Sequence, residues 1–189
     1  MASFDFTRAN VDPLPAPWAT AGGGWATLRV VSNLCANSAG GNSDAAMRYS
    51  TSTSLRSFVT YAAGTFDGGP AFLEAAGNGY ITTSYSGVHL EFYLVTAGPN
   101  YTKIGGDSAV TFAASDIAGL GIDNNDIVFY KNAVEIGRRT DSTFRNLQPA
   151  MFMFDGGLRY SLWSDGVIDL LTGLPLFTRP GPGVPMHRA

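Results

Sequence analysis

The segment Ile122–Phe144 leaves the backbone few options. Asp123-Asn124-Asn125-Asp126 is an unbroken run of residues that tolerate left-handed backbone and bond their own main chain, so it reads as a turn. Ile127-Val128-Phe129-Tyr130 is β-branched and aromatic, the composition of a strand. Lys131-Asn132-Ala133 supplies a second turn, Val134–Arg139 a return strand, and Asp141-Ser142-Thr143 closes the unit. A hairpin of this kind places the chain among β proteins.

Other strand candidates recur between turn residues: Leu28–Leu34, Arg56–Tyr61 and Val88–Val95. In the last, Val88, Leu90, Phe92 and Leu94 alternate with His89, Glu91 and Tyr93, the period of a half-buried strand. Gly98-Pro99-Asn100 then marks a turn. The first 25 residues read as irregular, because Pro13, Pro15 and Pro17 suppress helix and ladder pairing and Gly22-Gly23-Gly24 ends the segment. Trp18 and Trp25 are expected to pin this lead-in against the body. Val110–Ile117 is open between a short helix and a loop. The strand spacing is that of an all-β sandwich, without the strand–helix rhythm of a parallel sheet.

At 189 residues, 45% hydrophobic and 14% charged, the chain can bury a core without a metal or disulfide staple. A net charge of −3, with Lys103 and Lys131 the only lysines, argues against nucleic acid as a partner. The pair Arg138-Arg139 reads as a solvated strand end. Cys35 is the single cysteine and reads as a small buried hydrophobe. No apolar run approaches the roughly 18–20 residues of a membrane span, so no membrane insertion is expected. The N-terminal residues have neither the charged nor the apolar region of a secretory signal. The expected organisation is one sandwich domain over residues 1–169 and an extended arm over residues 170–189, whose end Arg179–Ala189 is rich in Pro and Gly.

The run Val128-Phe129-Tyr130-Lys131-Asn132-Ala133-Val134, followed by Thr140-Asp141-Ser142-Thr143, resembles the concanavalin A-like lectin/glucanase superfamily in its laminin-G-like jelly-roll form. Members carry a strand ending in Tyr, an Asn-Gly turn, a return strand and a Thr-Asp-Ser-Thr close; here Ala133 stands where Gly is usual. A second stretch, Phe4-Asp5-Phe6-Thr7-Arg8-Ala9-Asn10 with Pro13-Leu14 and Trp18, is similar to the opening of such modules in bacteriophage and bacterial surface proteins. The resemblance implies an all-β fold, a jelly-roll β-sandwich of two antiparallel sheets with loops at the rims.

Glycosidases of that superfamily place acidic residues along one strand. Their Glu-x-Asp-x-x-Glu motif is absent, and Glu74, Glu91 and Glu135 have no acidic partner two positions away. The expectation is therefore a protein that is not an enzyme, with Glu91, on a polar strand face, the residue that speaks for the opposite. His89 and His187 are the only histidines, too few for a His-based metal site or a triad. Asp123–Asp126 could offer oxygens to Ca²⁺, but hairpin turn chemistry accounts for these residues, and no metal or cofactor is expected. The leading expectation is a structural or assembly protein of a bacteriophage particle, a capsid decoration or tail accessory protein located in the virion. It would be held to other virion proteins or copies of itself by Leu174, Pro175, Phe177, Arg179, Pro182 and Met186 of the arm. The alternative is a carbohydrate-binding module for host-surface glycans, with Tyr85, Tyr101 and Trp163 as contacts.

Overall fold

A computed structural model describes residues 2–40, 43–64, 67–85, 89–96, 100–154 and 156–166. The arm expected over residues 170–189, with Leu174, Pro175, Phe177, Arg179, Pro182 and Met186, lies outside them. In chain order the strands are β1 (Ser3–Asp5), β2 (Trp18–Thr20), β3 (Leu28–Val31), β4 (Leu34–Asn37), β5 (Ala45–Tyr49), β6 (Arg56–Ala63), β7 (Gly68–Leu73) and β8 (Gly79–Tyr85). They continue with β9 (His89–Thr96), β10 (Asn100–Ala109), β11 (Ile117–Asp123), β12 (Asp126–Lys131), β13 (Val134–Thr140), β14 (Gln148–Met153) and β15 (Arg159–Ser164). No helix occurs among the described residues. Two antiparallel sheets form a sandwich: sheet A in the order β13-β12-β11-β6-β15-β4-β3, with β1 also on β15, and sheet B in the order β10-β9-β8-β7-β14-β5-β2.

Alternating side chains of both sheets fill the space between them. Trp163 of β15 sits at its centre, fully buried, stacked on Tyr49 at 4.6 Å and edge-on to Trp18 at 4.8 Å. Removing a buried indole of this kind costs about 3–5 kcal/mol. Its Nε1 donates to Ser57 Oγ at 3.1 Å, and that hydroxyl donates across the gap to the Ala150 carbonyl at 2.8 Å. Tyr61 and Tyr160 likewise reach from sheet A to the Gly68 and Phe152 carbonyls of sheet B, at 2.6 and 2.5 Å. Burial of both rings raises their phenol pKa values. On β9, Leu90 and Phe92 point into this core while Glu91 and Tyr93 point away, as the alternation requires.

Three sequence expectations change. Leu28–Leu34 is not one strand: the chain reverses at Ser32-Asn33, with φ of 51° and 64°, and Leu34 already belongs to β4. Asn and Ser enter the left-handed region without the Gly or Pro that normally signals such a turn. The first 25 residues are not irregular throughout, because β1 precedes the prolines and β2 follows them. Val110–Ile117 is a loop up to the start of β11; it turns at Ser115 and buries Phe112 against Tyr61 and Phe129.

The expected hairpin is present. β11 and β12 are joined through Asn124-Asn125, and β12 and β13 through Asn132-Ala133. Asn132 and Ala133 have φ of 50° and 66°, so both central residues are left-handed, as a two-residue hairpin matching the strand twist demands. An L side chain there costs about 1–2 kcal/mol, and glycine returns part of that as extra freedom of the unfolded chain. Ala133→Gly should therefore raise stability by about 0.5–1 kcal/mol, seen as a higher urea midpoint with an unchanged m-value. A lower midpoint would contradict the turn geometry.

Candidate functional site

Sheet B is apolar on its outer face as well. Ala46, Ala71, Leu73, Ile81, Val95, Ala150 and Phe152 form a second buried cluster there. The lead-in between β2 and β3 covers part of it. Gly22 N–H donates to the Ala75 carbonyl at 2.9 Å, and Trp25 Nε1 to the Gly77 carbonyl at 3.2 Å. Gly77 has φ of 88°, and a Cβ there would lie 2.0 Å from the Gly22 carbonyl oxygen, so the lead-in closes onto this turn only because the residue is glycine. The Trp25 ring meets Phe152 and Tyr101 edge-on, at 5.7 and 6.2 Å.

Beside this cover the same face holds a groove of about 200 Å³. Its apolar lining is Ile81, Phe152 and Phe154, its phenols are Tyr93 and Tyr101, and its polar groups are Asp44, Asp67 and Thr83. Strand register explains the gathering. Met153 of β14 pairs with Ala45 of β5 and Gly68 of β7, so Asp44, Phe154 and Asp67 stand one step beyond the same row. The row is held by Phe154 N–H on the Asp67 carbonyl and Ser43 N–H on the Phe154 carbonyl, both at 3.0 Å.

The polar groups are mostly paired. Thr83 Oγ1 donates to Asp67 Oδ1 at 2.7 Å. The Tyr93 phenol donates to one oxygen of Glu91, and Lys103 Nζ to the other at 2.7 Å. The Tyr101 phenol and the Asp44 carboxylate line the groove together. Asp44 Oδ1 is buried and meets no donor among the described residues. Burial, with the bond to Glu91, pushes the Tyr93 phenol up to about 12. Burial and Asp44 raise Tyr101 well above the ordinary tyrosine range.

Of the three residues expected to contact a glycan, Tyr101 lies in the groove with 39% of its surface exposed. Trp163 does not belong to any ligand surface: its position faces the inter-sheet core, where its ring and Nε1 are fully engaged. Tyr85 ends β8, but its side chain lies outside the described residues, as does that of His89. Glu91 is next to the groove through Tyr93. Asp44, Asp67 and Phe154 were not among the expected site residues, since each stands outside a strand pattern. The Asp123–Asp126 turn offers its oxygens to other partners: Arg138 bonds Asp123 at 3.3 Å and Asp126 at 2.9 Å, Thr140 bonds Asp126 at 2.6 Å, and Arg145 bonds Asn125 at 2.8 Å. The hydrogen bonds from Thr140 and Arg138 hold the Asp126 carboxyl below the usual range.

No protein-family model matches the chain, and no curated protein sequence matches it. Solved structures do. A carbohydrate binding module, CBM66 from Bacillus subtilis, is similar with a TM-score of 0.53 at 17% identity, over 78% of this chain and 95% of that one. A prokaryotic β-1,3-1,4-glucanase (lichenase) from a mouse hindgut metagenome is similar with a TM-score of 0.57 at 11% identity, over 86% and 96%. A mutant of the Emp46p carbohydrate recognition domain gives 0.51 at 12%, over 81% and 90%. The chain has the concanavalin A-like jelly-roll fold.

The expectation that the chain is not an enzyme does not stand. The scaffold is shared with a lichenase, so it is compatible with glycoside hydrolysis. The missing Glu-x-Asp-x-x-Glu run excludes little, because Asp44, Asp67 and Glu91 reach one face of sheet B from separate segments.

A phenol whose pKa is higher in the fold than the ordinary value of about 10 contributes stability that is complete below about pH 10 and lost as the pH rises through the folded value. For Tyr93 that window runs from about 10 to about 12. Tyr93→Phe should flatten the fall of the unfolding midpoint across this window and remove one late-ionising phenolate from the absorbance titration. Identical slopes in the two proteins would contradict the buried, Glu91-bound phenol.

Proposed function

We propose that the outer-face groove of sheet B binds glycan. The observation that carries this reading is the exposed Tyr101 ring set beside the carboxylates of Asp44 and Asp67 in one groove. A sugar ring presents an apolar C–H face and a rim of hydroxyl donors. An amphipathic ring and fixed acceptors are the complementary pair. The carbohydrate binding module and the carbohydrate recognition domain built on the same scaffold support the reading.

The assembly role expected in a phage particle rests on the arm of residues 170–189 and draws on no residue of this groove.

The test is retention of the full chain on a panel of soluble polysaccharides by affinity electrophoresis, with cleavage of each followed in parallel. At least one glycan should be retained. Tyr101→Ala should weaken it about tenfold or more, the loss of one aromatic contact of about 1.4 kcal/mol. Val134→Ala, at the exposed tip of the β12–β13 hairpin, should leave it unchanged. No retention at millimolar sites, or equal retention by the Tyr101 variant, would overturn the assignment.

A further inference from the structure

We infer that the groove selects uncharged glycan residues and rejects acidic ones, with Asp44 the selecting residue; this rests on the groove being the glycan site. Asp44 lines the groove beside Tyr101, and its buried Oδ1 lacks a donor among the described residues. A carboxylate is an acceptor only, and a buried oxygen left without a donor is costly. A ligand hydroxyl can donate to a carboxylate that lines the groove. A ligand carboxylate or sulfate cannot.

The charge around the groove acts in the same direction. Asp44 and Asp67 are its charged lining residues, with no Lys or Arg beside them among the described residues. Of the cations on the strands of sheet B, Lys103 bonds Glu91 and Arg48 bonds Gln148. An anionic ligand group would therefore face two carboxylates without a cation in the lining to balance it, a like-charge juxtaposition.

The experiment uses a neutral glycan retained by the full chain and the same glycan after oxidation of its primary alcohols to carboxylates. Both are measured by titration calorimetry at about 0.15 M salt, where charges are screened beyond about 8 Å, and at about 1 M, where the distance is about 3 Å. Oxidation should weaken binding about tenfold or more at the lower salt, and the higher salt should recover part of the loss. Asp44→Asn keeps the shape and removes the charge. It should weaken the neutral glycan about tenfold, as loss of a charge-assisted hydrogen bond does, and bring the neutral-to-acidic ratio toward one. Equal binding of the two glycans by the unaltered chain, or an unchanged ratio in Asp44→Asn, would overturn the selection. Should Asp44→Asn fail to fold, the salt dependence of the unaltered chain decides the matter: a neutral-to-acidic ratio that does not move with salt overturns the selection on its own. Failure of the underlying reading looks different, because Tyr101→Ala would then bind both glycans as well as the unaltered chain does.

Discussion

Strands β7 and β14 are buried on both faces, and the rest of the molecule is arranged around that constraint. On the inner side, sheet A covers them with Trp163, Tyr61 and Tyr160, and the hydroxyls of Ser57, Tyr61 and Tyr160 satisfy carbonyls of these two strands. These bonds fix the stacking of the sheets more sharply than apolar contact alone, since a displaced sheet would leave buried hydroxyls unpaired. On the outer side no third layer exists among the described residues. The lead-in with Trp25 covers one part and Tyr101 of β10 another. The groove lies beside the Trp25 cover, with Tyr101 as one of its walls.

Phe129 of the hairpin meets Phe92 of sheet B at 6.1 Å, and Tyr80 ties down the segment that closes the hairpin. Tyr80 projects from β8 into the interior, and its phenol donates to Asp141 at 2.6 Å while accepting the Phe144 N–H at 3.1 Å. Burial, with the bond to Asp141, pushes this phenol up to about 12. The segment that closes the hairpin in sequence thus also locks the chain onto the opposite sheet. Arg138, between Asp123, Asp126 and Glu135, gathers acidic side chains that would otherwise repel one another on an exposed edge. Such exposed pairs contribute little to stability individually.

The sandwich was readable wherever side-chain period and turn chemistry agree. The alternation in β9 separates its two faces correctly, and the Asn132-Ala133 turn holds although Ala replaces Gly. The split at Ser32-Asn33 was hidden because neither residue punctuates a sequence as Gly or Pro does. Aromatic residues were the harder problem. Trp163 and Tyr101 both sit in strands and both offer a ring, yet one is the centre of the core and the other an exposed wall. Which face of a strand a ring occupies follows from pairing partners far along the chain, and β15 finds those only at β6, β4 and β1. The acidic groups of the groove carried no local signal at all, as Asp44 and Asp67 stand 23 positions apart and outside any motif.

The location of those groups also bears on how function sits on this scaffold. Asp44 and Asp67 immediately precede β5 and β7, and Phe154 immediately follows β14. Each lies one step past a ladder that Ala45, Gly68 and Met153 complete. Backbone pairing therefore sets their positions. A rigid scaffold with variable strand ends is the usual relation between a fold and the sites placed on it. It follows that a shared jelly roll leaves binding and hydrolysis equally accessible. In this chain three strand-end residues and outward side chains of β8, β9, β10 and β14 line the groove.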